Sequence, residues 1–221
     1  IYSILSNPAG LNRIEKNEVT LMHNVIFTGT MFDFFGASLP GLLNAGRWGA
    51  GVIQLYSGSI PVRDASNNSA GELGSSQIAW LLSWAAEPFG KIYNRLDETG
   101  VGLTFKLLQE SIVGRDYSAI SIDLGILSDV GAIYRKLNGA SLGINVKNVI
   151  SGRLKGEENR IPVDFDCGVS YDLGEVIGRQ ALAAVDISAS SGHKPRLKIG
   201  AEMYAHDWVP VRLGMNGRDI C

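Results

Sequence analysis

The chain has 221 residues and 23.7 kDa, 45% apolar and 19% charged, with 27 glycines; average soluble domains carry about 25% charged residues and about 7% glycine, so it is charge-poor and glycine-rich, and its apolar content excludes disorder. Its 20 Lys and Arg against 22 Asp and Glu leave a net charge of −2, with no block of like charges to grip nucleic acid. No apolar run nears the ~18 residues of a membrane helix, and Cys167 and Cys221 have neither disulfide-framework nor metal-site spacing.

In chain order, Asn7-Pro8-Ala9-Gly10 comes first. Proline sets its own φ and keeps Asn7 out of helical backbone, while the Asn side chain can satisfy backbone groups of an irregular segment; an ordinary turn is the competing reading. Val19 to Phe27, the shorter Phe32 to Ser38 and Trp48 to Tyr56 read as strands. Ser57 to Gly74 reads as a long loop carrying the turn run Asp64 to Gly71. Ser76 to Ala86 alternates, with Ile78, Trp80, Leu82 and Trp84 on one face, and Glu87 to Thr99 has room for one short helical turn.

From Val101 onward the alternation is strict. Across Val101 to Leu107, Ile120 to Ile126, Leu142 to Val146, Val163 to Tyr171, Ala181 to Ile187, Leu197 to Ala205 and Val209 to Met215, one set of alternate positions numbers 29, all apolar. The interleaved set numbers 22 and contains only three apolar residues, Leu182, Ala184 and Tyr204. Side chains on a strand point to opposite faces with period two, so each segment is a strand with an apolar face and a polar, glycine-spotted one. About eleven strands result, in a single domain spanning 1–221, with turn chemistry at Gly114 to Asp116, Ser151 to Arg160, Ser190 to Pro195 and Asn216 to Asp219.

Alternation of this kind serves a sandwich, whose apolar faces meet, or a membrane barrel, whose apolar face meets lipid. Several segments reach nine residues or more, and the polar face is built of Gly, Ser, Asp and Asn with few cations. Both features favour an antiparallel up-and-down outer-membrane β-barrel with a polar interior. Lys106, Asp123, Lys147, Asp166 and Asp186, then Lys198 or Glu202, then Arg212 fall at comparable depth on successive strands, where charges of opposite sign satisfy one another. Lys106, Asp123, Glu202 and Arg212 are therefore read as a lumen network, with substrate guidance as the rival reading. Phe32, Phe34 and Phe35 form the densest aromatic cluster, read as packing or as part of a hydrophobic ligand path.

No catalytic constellation survives its context. Gly46 to Gly51 precedes strand-like Val52 to Tyr56 rather than a helix that would hold phosphate; His23, His193 and His206 lack i, i+4 metal spacing, and no G-x-S-x-G elbow accompanies His206-Asp207. A non-enzymatic protein with no cofactor and no metal is expected.

Asn7-Pro8-Ala9-Gly10-Leu11 also resembles the Asn-Pro-Ala-Gly-Leu element near the mature N-terminus of PorV/PorQ outer-membrane proteins and, more distantly, of FadL-type long-chain fatty-acid transporters. Further pieces follow in order: Glu18 to His23, Gly51 to Leu55, Thr104-Phe105-Lys106, Asp123-Leu124-Gly125, Leu142-Gly143 with Asn148, Gly168 to Tyr171, and Gly200 to Tyr204 with Arg212-Leu213-Gly214. The resemblance implies a fourteen-stranded barrel of a Gram-negative outer membrane, with residues 1–17 as a hatch folded inward and 18–221 as strands. This chain would then be an incomplete barrel of about 11 of 14 strands, carrying Asn7, Pro8, Ala9 and Gly10 as its hatch motif. The implied partners are the lipid bilayer and either hydrophobic small molecules or secreted protein cargo, in passage across the membrane or in type IX secretion. The alternative is a soluble β-sandwich binding module.

Overall fold

The computed structural model describes residues 2–27, 29–40, 46–63, 65–89, 98–112, 115–151, 161–176, 178–206 and 209–217. Eleven strands follow a short helical start: β1 Glu18–Phe27, β2 Thr30–Pro40, β3 Arg47–Arg63, β4 Ser69–Ala86, β5 Thr99–Ile112, β6 Arg115–Asp129, β7 Ala140–Ser151, β8 Asp164–Val176, β9 Arg179–Ser190, β10 Arg196–His206 and β11 Val209–Asn216. Every strand pairs antiparallel with its sequence neighbour, in one up-and-down sheet of order β1 to β11. The all-β antiparallel expectation is met, since each segment with period two hydrogen-bonds to the next across a short connection.

The barrel is not. Among the described residues the sheet is open, as an incomplete barrel of eleven strands implies: β1 and β11 are its two edges and do not pair with each other. An open edge carries backbone N–H and C=O groups that hydrocarbon cannot satisfy, at several kcal/mol each. These strands therefore do not close a membrane-spanning barrel among themselves, and transmembrane passage of hydrophobic molecules or a barrel's part in type IX secretion is not carried by this sheet. Among the described residues no helix is long and apolar enough to cross a membrane; that statement concerns helices, and it is the open sheet that decides against the barrel. The alternative reading of a β-sandwich binding module fits better only as far as an all-β sheet domain, since all described strands lie in one sheet rather than in two packed ones.

The two faces of the sheet differ as the alternation requires. Trp80, Leu103, Phe105, Phe165, Val185, Ile199 and Val211 are exposed on one side. Lys106, Asp123, Asp166, Asp186, Glu202 and Arg212 occupy the interleaved positions, and on this side lies the N-terminal segment: a helical turn, α1, Ser3–Ser6, and a 3-10 helix, Pro8–Arg13. It rests against β3 to β6. Ile4, Leu11 and Ile14 form a small core with Leu81 and Ala85, and full burial of a side chain such as Ile4 or Leu11 contributes roughly 1.5 to 3 kcal/mol.

Three local expectations need correction or fall outside the description. Ser57 to Gly74 is not a long loop, because β3 and β4 continue as a hairpin that turns only between Arg63 and Ser69, with Ile60 paired to Leu73. The expected helical turn within Glu87 to Thr99 falls largely on 90–97, outside the described residues, as does most of the expected turn Ser151 to Arg160. A short helix α2, Val130–Ile133, and a 3-10 turn, Arg135–Leu137, instead join β6 to β7, with the Asp129 side chain accepting from Gly131 N at 2.8 Å.

Candidate functional site

The polar face of the sheet gathers the candidate residues around the N-terminal segment. Asn7 anchors that segment. Its Nδ2 donates to the carbonyls of Ile126, 3.0 Å, and Ile144, 3.2 Å, on neighbouring strands β6 and β7. Its Oδ1 accepts from Ala9 N at 3.1 Å, capping the 3-10 helix that Pro8 begins. Asn145 Nδ2 donates to Ser6 O, and Arg13 donates to Ser141 Oγ at 3.1 Å. Pro8 and Ala9 are buried. The approach is close enough to demand glycine beneath: a Cβ at Gly102 would collide with Ala9 N, and one at Gly125 with Asn7 Oδ1. Gly10 meets Ser3 on the segment itself.

Lys106 and Asp123 form an ion pair at 2.7 Å within a buried polar network. Lys106 Nζ and Ser121 Oγ both donate to Asn148 Oδ1 at 2.7 Å, Asn148 N donates to Asp123 Oδ1 at 2.9 Å, and Asn148 Nδ2 donates to Pro162 O at 2.9 Å. Asn148 has φ +58, at a bulge where Ile122 to Leu124 of β6 spans Ile150 to Val146 of β7. Asn148 is the central residue that the alternation misses. By parity it belongs with Ile144 and Val146 on the apolar side, and only left-handed backbone, which Asn tolerates better than most residues, turns its side chain to the network. The hydroxyls of Ser83 and Thr104 pair at 2.7 Å beside this network, both fully buried.

Glu202 and Arg212 pair with each other across β10 and β11, away from the Lys106 network. The Glu202 carboxylate, through its hydrogen bond and its charge, raises the Arg212 pKa above its ordinary value against a smaller opposing effect of burial. The three phenylalanines separate. Phe34 is 1% exposed beneath Tyr2, with ring centroids 6.0 Å apart. Phe35 points to the other face and is 43% exposed, so it joins no site on this one. Phe32 lines an apolar cleft of about 410 Å³ with Ile53, Leu55, Ala79, Leu108 and Ile161, and Gln77 and Glu110 at its edge. Gln77 donates to Glu110 at 2.5 Å there.

Among the described residues no group of three His, Cys, Asp or Glu is placed to hold a metal ion. His23 instead meets Asp33 at 2.6 Å on the exposed side of β1 and β2. Comparisons with protein-family models, curated proteins and solved structures find no match to this chain, so the likeness to PorV/PorQ and FadL-type proteins draws no support from them.

Proposed function

We propose that the protein is a non-catalytic β-sheet binding module that takes a hydrophobic small molecule in the cleft lined by Phe32, Ile53, Leu55, Ala79 and Leu108. One observation carries the reading: a concave, mainly apolar space of about 410 Å³ on the face of the sheet that also carries the buried polar network. Ligand pockets of about 300 to 1,000 Å³ are typically apolar with a few polar groups that orient the guest, and the Gln77–Glu110 pair supplies that polar edge. The cleft lies apart from the Asn7 anchor, so a guest would not need to displace the N-terminal segment.

Titration calorimetry of the whole chain with n-decanol tests this. Saturable binding near one equivalent is expected, abolished by Ala79→Trp, which fills the cleft, and retained by Leu124→Ser on the opposite face. Absence of saturable binding, or binding unchanged in Ala79→Trp, would overturn it.

A further inference from the structure

A second cleft, of about 290 Å³, lies over β7 to β10 on the same face, closed at one side by Ser6 and Asn7. Its charged lining consists of Lys147, Asp166, Asp186 and Lys198. Two of these satisfy each other: Lys147 Nζ lies 3.2 Å from Asp166 Oδ2. Asp186 and Lys198 are cross-strand partners in register, yet they form no ion pair among the described residues. The Asp186 carboxylate lies instead over Gly168, where any Cβ would collide with Asp186 Oδ1. The cleft therefore offers one carboxylate and one ammonium not neutralised by each other. A further acceptor borders it. Asn145 is 2% exposed, donates to Ser6 O through Nδ2, and its Oδ1 has no hydrogen-bond partner among the described residues. A buried polar atom without a partner costs free energy that a ligand donor recovers.

We propose that this cleft binds a small zwitterion of the α-amino-acid class, its ammonium group held by Asp186 and Asn145 Oδ1 and its carboxylate by Lys198. A simple anion leaves Asp186 repelling it, and a simple cation leaves Lys198 doing so; a molecule with an ammonium and a carboxylate group on one carbon answers both. The site is separate from the apolar cleft and stands or falls independently of it.

The test is calorimetry on the whole chain with glycine and L-serine, and with acetate and methylammonium as the two half-ligands. Saturable binding is expected of glycine or L-serine, with neither half-ligand binding at the same concentrations. Asp186→Asn and Lys198→Met, both at exposed positions, should each weaken binding at least about tenfold, the loss of one charge-assisted hydrogen bond, while Ala79→Trp leaves it unchanged. No saturable binding of either amino acid, equal binding of acetate alone, or unaltered affinity in both charge variants would overturn the proposal.

Discussion

At the scale of single residues, Asp166 shows how opposing influences resolve. Partial burial opposes ionisation of its carboxyl, but the Ser188 hydroxyl and the charges of Lys147 and Lys198 together outweigh it and hold the pKa below the ordinary 3.8. A carboxyl whose folded pKa is depressed adds stability that is present above the unfolded value and is lost as pH falls through the folded one. Urea denaturation at pH 7 and at pH 3 should therefore show the native chain exceeding Asp166→Asn by more at pH 7 than at pH 3. A gap that is constant or wider at pH 3 would mean that the carboxylate contributes nothing by being charged.

At the scale of elements, the bulge between β6 and β7 holds the buried network together. Asp123 is 4% exposed, and removing the partner of a buried charge costs about 3 to 5 kcal/mol, much of it the penalty of the charge left behind. Lys106→Met should destabilise the chain by that order. Lys106→Met with Asp123→Asn should recover more than about 1 kcal/mol of the loss, because contacting residues couple non-additively and the Asn still accepts from Asn148 N. Equilibrium denaturation of the two single variants and the double one completes the cycle; strict additivity would show that the 2.7 Å pair is not energetically coupled.

For the molecule as a whole, stability should fall from the middle of the sheet to its edges. Strands β3 to β6 carry the N-terminal segment and the small core around Leu11 and Leu81, whereas β1 and β11 have a partner on one side only. Amide hydrogen exchange reports such differences, and the slowest amides are expected in β4 to β6, the fastest among strand amides in β1 and β11. Uniform protection across the sheet would contradict the open topology. The apolar side leaves large side chains exposed, among them Leu21 at 79% and Leu213 at 75%.

The sequence by itself determined the strands and their faces, because period two is a property of each strand's own backbone and needs no partner to be seen. It also singled out Asn7-Pro8 as either an ordinary turn or a segment whose Asn amide satisfies backbone groups, since the fixed φ of proline and the bonding capacity of that amide are local facts. The Lys106–Asp123 pairing was legible as opposite charges at comparable depth on neighbouring strands. Asn148 was not, because its parity assigns it to the wrong face and only the left-handed turn of the bulge reverses that. The separation of Phe32 from Phe35 and the continuation of β3 and β4 through Ser57 to Gly74 likewise came from pairing with neighbours. Closure is not visible in alternation, which reads the same in an open sheet and in a barrel; the odd count of about eleven strands pointed to an open sheet, but whether the edge groups of β1 find those of β11, a contact between residues almost two hundred positions apart, was decided by tertiary structure because no local pattern encodes it.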